Sequence, residues 1–83
     1  MIQYLIMCRS LTYAQKASKL LERSGFTVTV IKAPQTLSLG GCAYAVTLRG
    51  RIYDAILLLK RYDIPFGKVF RRMENGEYAE EIR

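Results

Sequence analysis

The feature that most limits the folds open to this chain is a hydrophobic period that keeps changing between two residues and a helical turn. "MIQYLIMC" (1–8) is short, apolar and rich in β-formers; Ile2, Tyr4, Ile6 and Cys8 share one face, Leu5 and Met7 the other. In "RSLTYAQKASKLLERSG" (9–25) Ala14, Ala17, Leu20 and Leu21 instead form a helical stripe, with Lys16, Lys19 and Arg23 outside. Thr12 followed by Gln15 fits a capping box, and Gly25 ends the helix. "FTVTVIK" returns to strict alternation, with Phe26, Val28 and Val30 inward. "APQTLSLGG" reads as a loop, and "CAYAVTLR" (42–49) as a third strand. After Gly50, Ile52, Ala55, Ile56 and Leu59 recur at helical spacing. Pro65 and Gly67 punctuate before a fourth strand, "KVFRRM" (68–73). Asn75-Gly76 marks a turn, after which the tail either pairs back as a hairpin or forms one helical turn.

The order β-α-β-β-α-β, joined by right-handed crossovers, is most economically an α+β fold. The expectation is a ferredoxin-like two-layer sandwich, with a four-stranded antiparallel sheet and both helices on one face. With 83 residues, 51% of them apolar, the chain has material for one modest core. That places a single domain over residues 1–73 and an acidic C-terminal tail over 74–83. Leu5 and Met7, with Ala43 or Tyr44, make the second sheet face half apolar, which leaves room for a homodimer.

Composition narrows the chemistry. There is no histidine, so histidine-based triads, bases and metal ligands are excluded together. Two cysteines, Cys8 and Cys42, are too few for a zinc cluster or a disulfide-stapled scaffold. No phosphate loop and no motif of paired carboxylates is present, so a conventional enzyme is not expected and no cofactor is called for. Glu22, Asp54 and Asp63 read as helix-surface or capping charges. The net charge of +6 favours anionic partners, and twelve of the thirteen bases precede residue 73, so the globular part is the cationic one. The N-terminus lacks the pattern of a signal peptide, and the longest apolar run, "AILLL", is far short of a membrane span. The expectation is a cytoplasmic protein with reduced thiols.

That leaves "SLGGC" (38–42). In the expected topology the first and third strands are antiparallel neighbours, so the first ends where the third begins. Cys8, Arg9, the start of the first helix around Thr12, and the turn from Pro65 to Lys68 should gather there beside Cys42. A cysteine reacts as its thiolate, a form favoured by nearby positive charge and by free N–H groups at a helix start. Arg9 and Lys68 are the candidate charges, while Ser38, Gly40 and Gly41 are the candidate loop, whose glycines let backbone N–H groups turn toward an anionic sulfur or selenium. The competing reading is that Cys42 is a small core residue, which is as common a fate for a free cysteine. Cys8, at the end of an apolar strand, reads first as core. A pairing with Cys42 would make it a resolving thiol, subject to demanding disulfide geometry.

Ser10, Thr12 and Ala14, then Leu21, Glu22 and Gly25, then Pro34, Leu37 and Ser38, and finally Gly41 with Cys42 carry a resemblance. Over residues 2–72 the chain resembles a family of small bacterial proteins of unknown function described as selenium/sulfur carrier-like. The resemblance implies that Cys42 holds a persulfide or selenopersulfide and that Ser38 and Gly41 shape its loop. Its implied partners are protein donors and acceptors of sulfur or selenium, such as a cysteine desulfurase. The chain departs from the family at Gln35 and Ala43, where Arg and Gly are frequent.

Three functions therefore compete. The first is a thiol carrier, with Lys16, Lys19 and Arg23 as a docking face for an acidic donor, or simply a solvated helix face. The second is a regulatory or interaction module on the same fold. The third is RNA binding, with Tyr4 and Tyr44 stacking bases on the central strands, although "GCAYAVTL" has only one aromatic and no basic residue opens it.

Overall fold

In the computed structural model, which describes residues 2–37 and 41–81, these periodicities become five strands and two helices among the described residues. The chain runs through β1 (Gln3–Cys8), α1 (Leu11–Arg23), β2 (Val28–Lys32), a 3₁₀ turn (Gln35–Leu37), β3 (Tyr44–Arg49), α2 (Ile52–Arg61), β4 (Val69–Arg72) and β5 (Tyr78–Glu81). The strands form one sheet in the order β2-β3-β1-β4-β5, every neighbouring pair antiparallel. β1 is central, with Ile6 opposite both Val46 and Val69, and its last residue, Cys8, lies opposite Tyr44 at the start of β3.

Alternation along β1 divides the protein into two apolar layers. Ile6 and Cys8 face the helices, and with Val46, Leu48 and Val69 they pack under Ala14, Ala17 and Leu21 of α1 and Ile52, Ala55, Ile56 and Leu59 of α2. Leu5, Met7 and Ala45 face the other way and are also buried, beneath Ile31, Leu37, Phe70 and Tyr78. This second layer alters the reasoning about a homodimer. Its strand residue is Ala45 and not Ala43 or Tyr44, and Leu5 and Met7 are covered by the chain's own side chains.

Three expectations need correcting. The sheet has five strands and not four, because the tail adds β5 to the free edge of β4. Asn75 and Gly76 make the turn: Gly76 N–H donates to Met73 O at 2.9 Å and Glu77 N–H to Asn75 Oδ1 at 3.0 Å. The physical reason is charge complementarity across strands. Lys68 reaches Glu80 at 3.7 Å, and Arg71 reaches Glu81 at 3.6 Å. Glu81 also accepts a 2.5 Å hydrogen bond from the Tyr53 phenol on α2, which pushes the titration of that phenol upward. The tail is thus tied to both its strand neighbour and the helix layer.

The second correction concerns the start of α1. Ser10, not Thr12, is the N-cap; its backbone is extended and its hydroxyl accepts from Tyr13 N–H at 3.2 Å. Ser10 is the first hydroxyl-bearing residue after β1, so the helix begins there and Thr12 falls, exposed, within its first turn. At the other end Gly25 N–H donates to Glu22 O and Phe26 N–H to Leu21 O, the paired bonds of a Schellman ending. α2 ends the same way, Asp63 N–H to Lys60 O and Ile64 N–H to Leu59 O, but with Asp63 held at φ 55°.

The third correction is that Tyr4 and Tyr44 pack against the helix-side layer. Both are half-buried on the face toward the helices, not on the opposite face where an RNA-recognition sheet presents its stacking aromatics.

Candidate functional site

The antiparallel pairing of β1 with β3 brings the end of one strand and the approach to the other to the same edge of the sheet. The segment before β4 is pinned to that edge by two backbone bonds, Gly67 N–H to Met7 O at 2.7 Å and Met7 N–H to Lys68 O at 3.0 Å. Between them lies a pocket of about 450 Å³. Met7, Leu37, Phe66 and Phe70 give it apolar walls, Tyr13 and Thr36 contribute hydroxyls, and Arg9 and Lys68 are its charged members. Cys42 opens into it, half-buried against the Leu5–Met7–Ala45 layer.

Gly67 explains how the thiol is seated. A β-carbon placed on Gly67 would lie 2.9 Å from Cys42 Sγ, closer than non-bonded atoms tolerate, so the sulfur rests against a bare α-carbon. On its other side the backbone of Gly41 has φ +87°, a region that disfavours every L side chain, and this glycine directs the chain into Cys42.

The expected site residues divide clearly. Cys42, Arg9 and Lys68 line one pocket. Arg9 is exposed and makes no ion pair among the described residues, whereas Lys68 is partly neutralised by Glu80. Thr12 is exposed and is not part of the lining. Gly41 shapes the approach to Cys42 without lining the pocket. Ser38 and Gly40 lie outside the described residues.

Cys8 has a different environment. It is completely buried in the helix-side layer, and its thiol donates to Ile6 O at 3.7 Å. Burial, reinforced by the nearby Cys42 sulfur, pushes its titration from an ordinary 9.0 up to about 11. Both cysteines are free thiols. In this conformation Cys8 is a protonated core group, so a resolving role would require the helix layer to open.

Phe70 and Tyr13 carry no sequence signal as site residues, and Phe66 and Gly67 enter the expectation only as part of the turn from Pro65 to Lys68. The signal at Gly67 was present, a glycine between a proline and a strand, but it reads equally as a turn. Its contact with a sulfur 25 positions earlier exists only in the folded chain. Among the described residues no three His, Cys, Asp or Glu side chains gather into a metal-binding group. No helix among them is long and apolar enough to cross a membrane.

A family model described as putative Se/S carrier protein-like matches residues 3–71. No curated protein and no solved structure matches the chain.

Proposed function

The chain belongs to the Se/S carrier protein-like family, and from that premise we propose that Cys42 is its carrier thiol, loaded with sulfur or selenium and unloaded onto an acceptor. The observation that carries this reading is the contrast in placement. Cys42 opens into a pocket bearing Arg9 and Lys68, while Cys8 is sealed beneath the helices. Arg9 and Lys68 supply positive charge beside a group that is anionic both as thiolate and as persulfide.

The transfer needs no cofactor and no net oxidation. The Cys42 thiolate attacks the terminal sulfur of a donor persulfide; the donor S–S bond breaks, and its electron pair leaves on the donor thiolate. Unloading is the same displacement with the acceptor as nucleophile and Cys42 as leaving group. Selenium follows the same course as a selenopersulfide. In this reading the protein is a carrier and not an enzyme, and its donor is a persulfide-bearing protein such as a cysteine desulfurase. The fold that supports it reads as a ferredoxin-like split β-α-β unit, order β2-β3-β1-β4, extended by β5.

The test is sulfur loading from a desulfurase, followed by intact mass and by cyanide-releasable sulfur. Wild type and Cys8→Ala should each gain one sulfur atom, and Cys42→Ala none. Undiminished loading of Cys42→Ala would sink the proposal.

A further inference from the structure

The Cys42 pocket is shaped for more than contact with a partner protein, and we infer that it binds a carboxylate-bearing, low-molecular-weight persulfide that loads Cys42 directly. This inference rests on the carrier reading and goes beyond it by naming a small molecule as the donor.

Volume is the first argument. At about 450 Å³ the pocket falls within the roughly 300–1,000 Å³ common to small-molecule sites. A thiol that only exchanged sulfur with a protein partner would need exposure, not a pocket of this size. Cys42 is instead recessed, with Gly67 closing one side of its sulfur.

The lining supplies the second argument. Among the described residues its charged members are both cations, and no carboxylate lines the space. Lys68 shares its charge with Glu80 at 3.7 Å, but Arg9 has no carboxylate partner among the described residues. A free guanidinium offers a fork of donors matched to a carboxylate. The hydroxyls of Tyr13 and Thr36 also make no hydrogen bond among the described residues and suit the amide or amino groups of an amino acid or short peptide. Leu37, Phe66 and Phe70 provide the apolar surface against which the aliphatic and sulfur-bearing part would lie.

The reaction balances without an added oxidant or reductant. The Cys42 thiolate attacks the terminal sulfur of R–S–S–H, and a new S–S bond forms at Cys42. The old S–S bond breaks with its electron pair on the inner sulfur, which leaves as R–S⁻ and takes up the proton from the transferred terminal sulfur to become R–S–H. Cys42 is left as the persulfide anion.

Glutathione persulfide as loading reagent and S-methylglutathione as its unreactive analogue test this. Wild-type loading by glutathione persulfide should saturate with concentration, and S-methylglutathione should protect Cys42 from alkylation. Arg9→Glu should lower loading efficiency about tenfold or more, the loss expected for one charge-assisted contact. Lys60→Glu, exposed and outside the pocket lining, should leave it unchanged. If a protein persulfide loads Cys42 while glutathione persulfide does not and S-methylglutathione gives no protection, the inference falls and the carrier reading stands. A rate of loading by glutathione persulfide that is insensitive to Arg9→Glu also overturns it. Loading by neither donor overturns both readings.

Discussion

Met7 and Cys8 are adjacent in sequence and face opposite layers of the protein, and this local difference separates the fates of the two thiols. On the helix side, Cys8 sits among Ile6, Val46 and Leu59 with no exposed surface, and burial holds it protonated. On the other side, Met7 helps to form a thinner layer that ends in a pocket, with Cys42 at its margin. Two helices seal the first layer; side chains from β2, β4, β5 and one 3₁₀ turn cover the second. The comparison teaches that a cysteine's availability here follows from the layer it joins, not from distance along the sheet, because both lie near the same edge.

The most direct way to break the comparison is differential alkylation at neutral pH. The rise of the Cys8 titration from 9.0 to about 11 lowers its thiolate fraction about 100-fold at neutral pH, before any loss of access is counted. Iodoacetamide followed by peptide mass spectrometry should therefore label Cys8 at least about 100-fold more slowly than an ordinary free thiol, and Cys42 first. Comparable rates would mean that the helix layer does not seal its thiol.

Alkaline unfolding gives the next largest effect. Below pH 9.0 the Cys8 thiol is protonated whether the chain is folded or not, and it adds no pH dependence. Between 9.0 and about 11 the unfolded chain releases this proton while the folded chain retains it, so rising pH favours unfolding. The loss should reach up to about 2–3 kcal/mol across that window in urea melts. Cys8→Ala should lack this component of the slope. An identical slope in the variant would show that Cys8 is not the group responsible.

A smaller effect probes the seat of Cys42. Gly67→Ala should destabilise the fold by about 1–2 kcal/mol, because the new methyl group meets the sulfur. Most of that cost should vanish in a Cys42→Ala background, a coupling of about 1 kcal/mol in a double-mutant cycle. Additive effects would place the strain elsewhere, for example at Met7, whose Cβ is 3.6 Å from the same point.

Asp63→Gly should have the smallest effect and the opposite sign. It relieves the left-handed backbone at the end of α2 and should stabilise the fold by about 0.5–1 kcal/mol. Because Cys8 reacts only when the helix layer opens, its alkylation should slow severalfold while that of Cys42 stays constant. Equal slowing of both would show that the layers open together.

Much of this architecture was legible beforehand. Alternation placed Tyr4, Ile6 and Cys8 on one face and Leu5 and Met7 on the other, and the two helical stripes lie where spacing put them. Antiparallel pairing of β1 with β3 was also legible from the element order. The cap of α1 was misplaced by two residues because Ser10 and Thr12 are chemically equivalent candidates, and only the exit path of β1 chooses between them. The sequence does not choose between hairpin and helical turn for β5, because its signal, a run of acids facing a run of bases, acts across a turn and has no period of its own.

Local patterning was enough to dictate which residues form strands and helices, which face each presents, and that one cysteine stands beside a pair of glycines. Those properties depend on neighbours within a few positions, so a single sequence holds them. Packing alone decided that Cys8 is sealed, that Gly67 abuts the Cys42 sulfur, and that Arg9, Tyr13, Phe66 and Phe70 enclose one pocket. These contacts join residues far apart in the chain, and their geometry is set by how the layers close on one another.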